Sequence, residues 1–354
     1  MKYIVIVFTI LFSAAGHGIG LEYATSNSIF SKILSAERTF YIKLPSSYAS
    51  DITKNYPVLF LLHGQWDMLA AVATLDLLAD EIPEFVTVGV DVRGSELRPG
   101  ESGEHNLATP FFQFLHRELV PHIRTNYRTA AYEVLSGHSN SGRFVMNTWM
   151  ENGDFFSSYY AFSPSLEDGA INERLQDISS KELGKFSPLT MTIANEGEHM
   201  QAPFTQLAKR LSEDLNSNFN FKRFPDQTHS TSRHASLMYA LQTSFFDWNP
   251  SHEIKVGGLD GLIGHYHRLT ERYGFTAEIP LETLQRLSAY YSVSSEEDDE
   301  KNASQVIKYG MDKDANNADA FMEMADYLKS NNNEPAGNRI MLDVCALAPT
   351  YKGC

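Results

Sequence analysis

Continuous apolar runs of strand length recur along the first 250 residues, and they restrict the fold more than any other feature of the chain. The run Pro57–Leu62 is apolar throughout, as expected of a strand buried on both faces, and Val86–Val92 is a second run of this kind. Further strands are predicted at Ala131–Leu135, Tyr159–Phe162, Leu189–Ala194 and Phe219–Phe224. Helical patterns lie between the strands, at Met68–Glu81, Pro110–Arg124 and Phe204–Leu215. This alternation predicts an α/β protein with a mostly parallel central sheet and helices on both faces.

The two ends of this region differ from its middle. Ser28–Leu34 and Arg38–Leu44 are predicted to form an antiparallel hairpin at the start of the sheet. Strand-like runs stop near Asn249-Pro250, so we predict a catalytic domain over residues 21–250. Ligands of such sheets bind at the carboxyl ends of the strands, where candidate catalytic groups should be sought.

Residues 251–354 are predicted to form a small all-helical C-terminal extension. Its helices are expected at Leu262–Tyr273, Leu281–Tyr290, Ala303–Gly310, Ala318–Lys329 and Pro335–Ala346, with an acidic turn at Glu296–Glu300. The last two resemble a tetratricopeptide unit. One such unit cannot bury its own apolar face, so either the earlier helices cover it or it docks on the catalytic domain.

The N-terminal residues and the net charge indicate where the protein is located and which partners it can have. Residues 1–20 have a positive start, a short apolar run and small residues after it, which predicts a signal peptide and a periplasmic or secreted protein. The run is too short for a spanning helix, so no membrane span is expected in the mature chain. The net charge of −15 disfavours nucleic acid as a partner. Export would permit Cys345 and Cys354 to pair, which the sequence leaves open.

The segment Leu135–Gly142 is interpreted as a nucleophile elbow, in which a strand turns sharply into a helix with Ser139 at the tip. Gly137 is needed because a side chain there would collide with the neighbouring backbone in so tight a turn. Ser141 stands where the usual pattern has a second glycine, so this position departs from the motif.

A serine needs a base, and the base needs a carboxylate that fixes its tautomer. His229 follows the last predicted strand and is the preferred base, whereas its nearest rival, His234, lies inside the next helix. Glu196 is the preferred acid because it is nearest the end of its strand, and Glu198 is the alternative. Asp168 and Asp226 remain further candidates for the acid.

Two backbone N–H groups should bind the tetrahedral oxyanion. Asn140 follows the nucleophile directly and supplies one, and the turn after His63-Gly64 supplies the other through Gln65. Trp66 and His138 are predicted to line the substrate pocket, with a structural turn and a packed indole as the alternative interpretation of Gln65-Trp66.

The elbow, the segment Leu61–Trp66, Arg93–Pro99, Phe114–Ile123 and Ser163–Ser165 together resemble the esterase D and ferric-enterobactin esterase branch of the α/β-hydrolases. The resemblance covers about residues 38–248. It implies an α/β-hydrolase fold and a triad of serine, acid and late histidine, carried over here to Ser139, Glu196 and His229. Some members also have a short helical tail.

The main hypothesis is a serine carboxylesterase that hydrolyses short to medium acyl esters without metal or cofactor, with a homodimer possible. A siderophore trilactone esterase is the alternative, which would need cations such as Arg93, Arg98 and Arg143 to bind an anionic ferric complex. An alternative of another class is a partner-binding protein that uses the helical tail. His265-Tyr266-His267 has no acid cluster nearby and is not predicted to bind a metal.

Overall fold

The structure, a computed structural model, describes residues 23–97, 109–213, 218–294, 296 and 299–354. These residues form an eight-stranded sheet in the order β1-β2-β4-β3-β5-β6-β7-β8. The strands are β1 Thr25–Ser31, β2 Ala36–Lys43, β3 Tyr56–Leu62, β4 Val86–Val90, β5 Thr129–His138, β6 Ser158–Phe162, β7 Leu189–Ala194 and β8 Phe219–Phe224. β1, β2 and β4 pair antiparallel and every other pair is parallel. The predicted fold class, an α/β sheet that opens with a hairpin, is therefore confirmed.

Helices cover both faces of the sheet and then continue into the C-terminal region. They are α1 Gly64–Leu77, α2 Pro110–Phe114, α3 Val120–Asn126, α4 Asn140–Glu151, α5 Ala170–Gln176, α6 Ser180–Leu183, α7 Glu198–Ser212, α8 Ser232–Ser244, α9 His252–Val256, α10 Leu259–Tyr273, α11 Leu281–Val293, α12 Asp299–Lys313, α13 Asn317–Ser330 and α14 Glu334–Leu347. A π-helical turn, Leu115–Leu119, joins α2 to α3. The long helix predicted from Pro110 is therefore one continuous run with a wider turn in its middle.

Four helices begin three to six residues earlier than predicted: α1, α7, α10 at Leu259 and α12 at Asp299. α1 begins at Gly64 rather than Met68, because the chain turns into the helix directly after β3 through a left-handed His63 with φ of 60°. α7 begins at Glu198 rather than Phe204, because Pro203 lies inside the helix instead of marking its start. The predicted signal peptide lies outside the described residues, as does part of the acidic turn, whose last two residues begin α12.

The core lies on both faces of the sheet, as the apolar runs predicted. Along β3, Val58, Phe60 and Leu62 contact one face, and Leu59 and Leu61 contact the other. All five side chains are buried. A strand of this kind has no wet face, which explains why its sequence shows no polar alternation.

The C-terminal helices pack on the α/β region rather than standing apart from it. Phe245, directly after α8, lies 5.0 Å from Tyr273 of α10, and Tyr132 of β5 lies 5.8 Å from Phe275, measured between ring centroids. The same apolar cluster continues into α11–α14. Cys345 and Cys354 form a disulfide at the end of the chain. The tetratricopeptide resemblance of α13 and α14 stays a prediction.

No helix within the described ranges combines the length and the apolar character needed to cross a bilayer.

Candidate active site

Ser139 lies at the turn between β5 and α4, with φ of 60° and ψ of −121°. Positive φ is unusual for a residue with a side chain, and strain of this kind is typical of a nucleophile elbow. The Ser139 N–H donates to the Phe162 carbonyl oxygen at 2.9 Å, and the Ser139 carbonyl oxygen accepts from Ser165 N–H at 3.2 Å. The backbone of the serine is therefore fixed by the end of β6 and the loop that follows it.

Gly137 and Ser141 make this turn possible in different ways. A Cβ on Gly137 would lie 2.5 Å from the Ser141 carbonyl oxygen, which excludes any larger residue. Ser141 is fully buried, and its hydroxyl accepts from His138 N–H and donates to the His138 carbonyl oxygen, each at 2.8 Å. The serine that departs from the usual glycine thus closes the elbow by two hydrogen bonds.

The same hydroxyl reaches the turn after β3. His63 Nδ1 lies 3.2 Å from Ser141 Oγ. Because the hydroxyl's single proton goes to the His138 carbonyl oxygen, His63 Nδ1 must be the donor in this contact. Burial, and then the charge of Arg233, lower the pKa of His63. A neutral His63 with its proton on Nδ1 therefore links the two turns.

We expect Ser141→Ala to lower the free energy of unfolding by about 1–3 kcal/mol, because it leaves two buried N–H groups without an acceptor. Chemical denaturation followed by circular dichroism measures this loss. Ser212→Ala is the control, since Ser212 is exposed on α7 and its hydroxyl bonds only to its own helix. Equal midpoints for the two variants would contradict the bracing role of Ser141.

His229 and Glu196 meet at the ends of β8 and β7. His229 Nδ1 lies 3.0 Å from Glu196 Oε1, and the Glu196 side chain is only 8% exposed. The Asn195 N–H also donates to the Gln227 carbonyl oxygen at 2.9 Å, which ties the two loops together. Among the predicted residues, the structure brings this base and this acid into contact.

Glu196 is held in its charged form. Burial acts to raise its pKa, but hydrogen bonds from His229 and Ser163, with the charge of His229, outweigh burial and leave the pKa below its ordinary value. Ser163 is a contributor that the sequence reasoning did not assign a role. It follows β6 with φ of 38°, and a serine at a strand end gave too weak a signal to identify it.

The rival acids lie elsewhere. Glu198 is exposed as the first residue of α7, and Asp226 is exposed in the turn after β8. Asp168 pairs with Arg143 at 2.6 Å. The rival base His234 lies in α8, where its Nδ1 is 2.8 Å from Thr74 Oγ1. Each of these four side chains is therefore either exposed or engaged with another partner.

His138, predicted as a pocket residue, is buried and packs on His229. The two ring centroids are 4.5 Å apart. Burial, and then the charges of His229 and Arg233, lower the pKa of His138 to about 3. A neutral imidazole therefore packs against the ring of His229.

The predicted oxyanion donors lie at two helix N-termini. Asn140 is the first residue of α4 and Gln65 the second of α1, positions at which backbone N–H groups have no acceptor within the helix. The Gln65 side chain donates to the Val92 carbonyl oxygen at 2.8 Å, which fixes this turn against the end of β4. Trp66 is 64% exposed, with its ring 5.0 Å from that of His63, so it lies at the surface beside this turn.

The candidate cations for an anionic substrate are differently placed. Arg143 is engaged by Asp168 and the Ser165 carbonyl oxygen, and Arg93 is exposed. Arg98 lies outside the described residues.

The histidines of the helical region do not form a metal site among the residues that the structure describes. His265 Nε2 contacts the Trp248 carbonyl oxygen at 3.2 Å. Within the described part of the chain, no cluster of three His, Cys, Asp or Glu side chains is arranged to hold a metal.

Comparison with known proteins agrees with this fold. The model of the family described as Putative esterase matches residues 31–202. Apo-salmochelin esterase of Escherichia coli O6:H1 (strain CFT073) is 24% identical over 226 residues, which cover 52% of this chain and 68% of that protein. Ferri-bacillibactin esterase BesA of Bacillus subtilis (strain 168) is 36% identical over 64 residues, only 18% of this chain and 22% of that protein.

Two solved structures show the same fold at low identity. An IroE-like serine hydrolase from Shewanella oneidensis superposes with a TM-score of 0.65 at 23% identity, covering 80% of this chain and 98% of that one. An uncharacterised protein from Capnocytophaga ochracea DSM 7271 gives 0.62 at 18% identity, covering 92% of this chain and 100% of that one. The match of residues 31–202 to the Putative esterase model, together with the alignment to apo-salmochelin esterase, identifies the chain as a hydrolase that acts on ester bonds.

Proposed function

We propose that this chain is a serine carboxylesterase in which Ser139 is the nucleophile, His229 the general base and Glu196 the acid that orients it. The contact of 3.0 Å between His229 Nδ1 and Glu196 Oε1 carries the proposal. It joins two loops at the carboxyl edge of the sheet where the elbow presents Ser139. Chain order also agrees, because serine, acid and histidine follow one another as in α/β-hydrolases.

The proposed reaction has two halves. His229 Nε2 removes the hydroxyl proton as Ser139 Oγ attacks the ester carbonyl carbon, and the resulting imidazolium gives that proton to the departing alcohol. Water then attacks the acyl-enzyme with His229 again as base, and the carboxylic acid leaves as Ser139 regains its proton. In each half Glu196 stabilises the imidazolium without itself taking up a proton.

The oxyanion of each tetrahedral intermediate would be bound by the N–H groups of Gln65 and Asn140. Their helices point their positive ends at the site, so the helix dipoles add to the hydrogen bonds. The Gln65 side chain is already occupied by Val92, which leaves its backbone N–H as the group available for the substrate.

We favour short to medium acyl esters because the described surroundings of Ser139 are largely polar. Asn140 Oδ1 accepts from Ser165 Oγ at 3.0 Å, and Arg143, which pairs with Asp168, lies 3.5 Å from the Ser165 carbonyl oxygen. Trp66 is the exposed aromatic side chain beside the proposed oxyanion turn. Polar groups of this kind suit a short acyl chain better than a long apolar one.

A siderophore trilactone esterase is the second candidate, and the names of two relatives favour it. The names of those proteins give salmochelin and bacillibactin as their substrates. The salmochelin esterase aligns with this chain over 226 residues. Against it stands the engagement of Arg143 by Asp168, which leaves that cation less available to an anionic ferric complex. A trilactone would still be opened by the same serine chemistry.

Hydrolysis of p-nitrophenyl butyrate compared with apo- and ferric-enterobactin tests the proposal on one preparation. We expect kcat/KM to be highest for short and medium p-nitrophenyl esters and to fall for long chains. Chromatography of the products measures opening of the trilactone. A higher kcat/KM for the trilactone than for the p-nitrophenyl esters would favour the second candidate. No turnover of any ester, together with no labelling by a fluorophosphonate probe, would overturn both.

A further inference from the structure

Two neighbouring helices, α1 and α8, begin next to the proposed oxyanion donor Gln65 and the proposed base His229. α1 begins with the turn that holds the Gln65 N–H, and α8 begins three residues after His229. The two helices pack on each other, and Thr74 Oγ1 of α1 lies 2.8 Å from His234 Nδ1 of α8. The oxyanion turn and the loop of the base are thus attached to one helix pair.

An ion pair between a half-buried arginine and a buried carboxylate joins the first turns of these helices. Arg233 Nη1 lies 2.5 Å from Asp67 Oδ1, and the Asp67 side chain is only 9% exposed. The two residues are 166 positions apart in the sequence. A carboxylate this deep requires a partner, because leaving it alone in a low-dielectric setting is costly.

Arg233 also contacts the loop that carries the proposed base, His229. Its Nε donates to the Ser230 carbonyl oxygen at 3.2 Å, and the neighbouring Ser232 Oγ donates to the His229 carbonyl oxygen at 3.1 Å. The guanidinium therefore contacts the loop with one nitrogen and α1 with another. A lysine could supply the charge at this position but not both contacts.

The pair has an electrostatic consequence for the neighbouring turn. Asp67 is two residues after Gln65, in the first turn of the helix whose N-terminal N–H groups would bind the oxyanion. An unpaired carboxylate there would oppose the negative charge that develops on the substrate. Arg233 neutralises it at contact distance.

We infer that Asp67 and Arg233 form a brace that positions the His229 loop against the oxyanion turn and neutralises the carboxylate beside that turn. Both are positioning residues, since they act through His229 and Gln65 rather than on the substrate. The inference rests on the proposed serine esterase function. It goes beyond that function by assigning a role to two side chains outside the proposed triad and oxyanion hole.

Three variants test the brace in the full-length chain: Asp67→Asn, Arg233→Met and the double variant. Displacements of about 1 Å in a catalytic constellation can cost about 100-fold in rate, so we expect each single variant to lower kcat about 10- to 100-fold while KM changes little. The double variant should be no slower than the slower single one, because both remove the same contact. Arg233→Lys should recover part of kcat through its charge.

Arg286→Met is the matched control, because Arg286 forms an exposed ion pair with Glu282 on α11 of the helical region. It should keep the wild-type kcat. Thermal unfolding checks the fold of each variant, and the Thr74–His234 contact still joins the two helices when the brace is removed.

Several results would overturn the inference. Asp67→Asn with a kcat equal to that of Arg286→Met would do so, as would losses that multiply in the double variant or appear in KM alone. Failure of the proposed function gives a different result, since the wild type itself would then neither hydrolyse esters nor react with a fluorophosphonate at Ser139. In that case the proposed function and the brace both fall.

Discussion

Ser139→Ala is expected to abolish ester hydrolysis, lowering kcat by roughly 10⁶-fold, the size of loss found when the nucleophile of a serine hydrolase is removed. Without Oγ no acyl-enzyme forms, and His229 has no hydroxyl to deprotonate. KM should change little for substrate that still binds, because the lost interaction belongs to the transition state. Initial rates on p-nitrophenyl butyrate with the purified variant measure the effect.

Ser212→Ala is the control for this substitution, since it removes an exposed hydroxyl on α7 at no cost to the site. A fluorophosphonate probe should label wild type and Ser212→Ala on Ser139, and should leave Ser139→Ala unlabelled. Turnover by Ser139→Ala at even a tenth of the wild-type rate would show that another group is the nucleophile.

The strands were predictable from the sequence because burial on both faces leaves a distinct pattern. β7 was predicted with the bounds that the structure gives, Leu189–Ala194, and all six of its residues are buried. β8 was also predicted with its own bounds, Phe219–Phe224, although it is the partly exposed edge strand of the sheet. The first residues of the helices were harder to predict from the sequence. The start of α1 depends on the tight approach of Gly64 to the backbone of Gly89, where a Cβ would lie 2.3 Å from the Gly89 carbonyl carbon. Such a contact between distant segments has no periodic signature.

In the candidate site, too, locally defined residues were predictable from the sequence and contacts between distant segments were not. Chain order and strand ends pointed to the serine, acid and base, since each of these positions is defined locally. The ion pair of Asp67 with Arg233 joins residues 166 positions apart, and neither residue stands out in its own helix. Ser141 was read only as a glycine substitute, because a motif records the volume available at a position but not the buried donors that a hydroxyl can satisfy.

Glu196→Gln is expected to lower kcat about 10³- to 10⁴-fold, in line with losses of the acid in other triads. A glutamine at this position loses the charge that stabilises the imidazolium. Its amide can also turn its NH₂ group toward His229 Nδ1, which favours the tautomer that cannot accept the serine proton. Circular dichroism should be unchanged, because the substitution preserves the shape of the side chain and the loops stay joined through Asn195 and Gln227.

Glu198→Gln is the matched control, since it makes the same chemical change two residues later on an exposed side chain at the start of α7. It should keep kcat within about twofold of wild type, as surface substitutions usually do. Loss of turnover in Glu198→Gln but not in Glu196→Gln would reverse the assignment of the acid, despite the contact of 3.0 Å to His229. Combining Glu196→Gln with Ser139→Ala should cost nothing further, because an acid that works only through the serine and its base has no role once the nucleophile is gone.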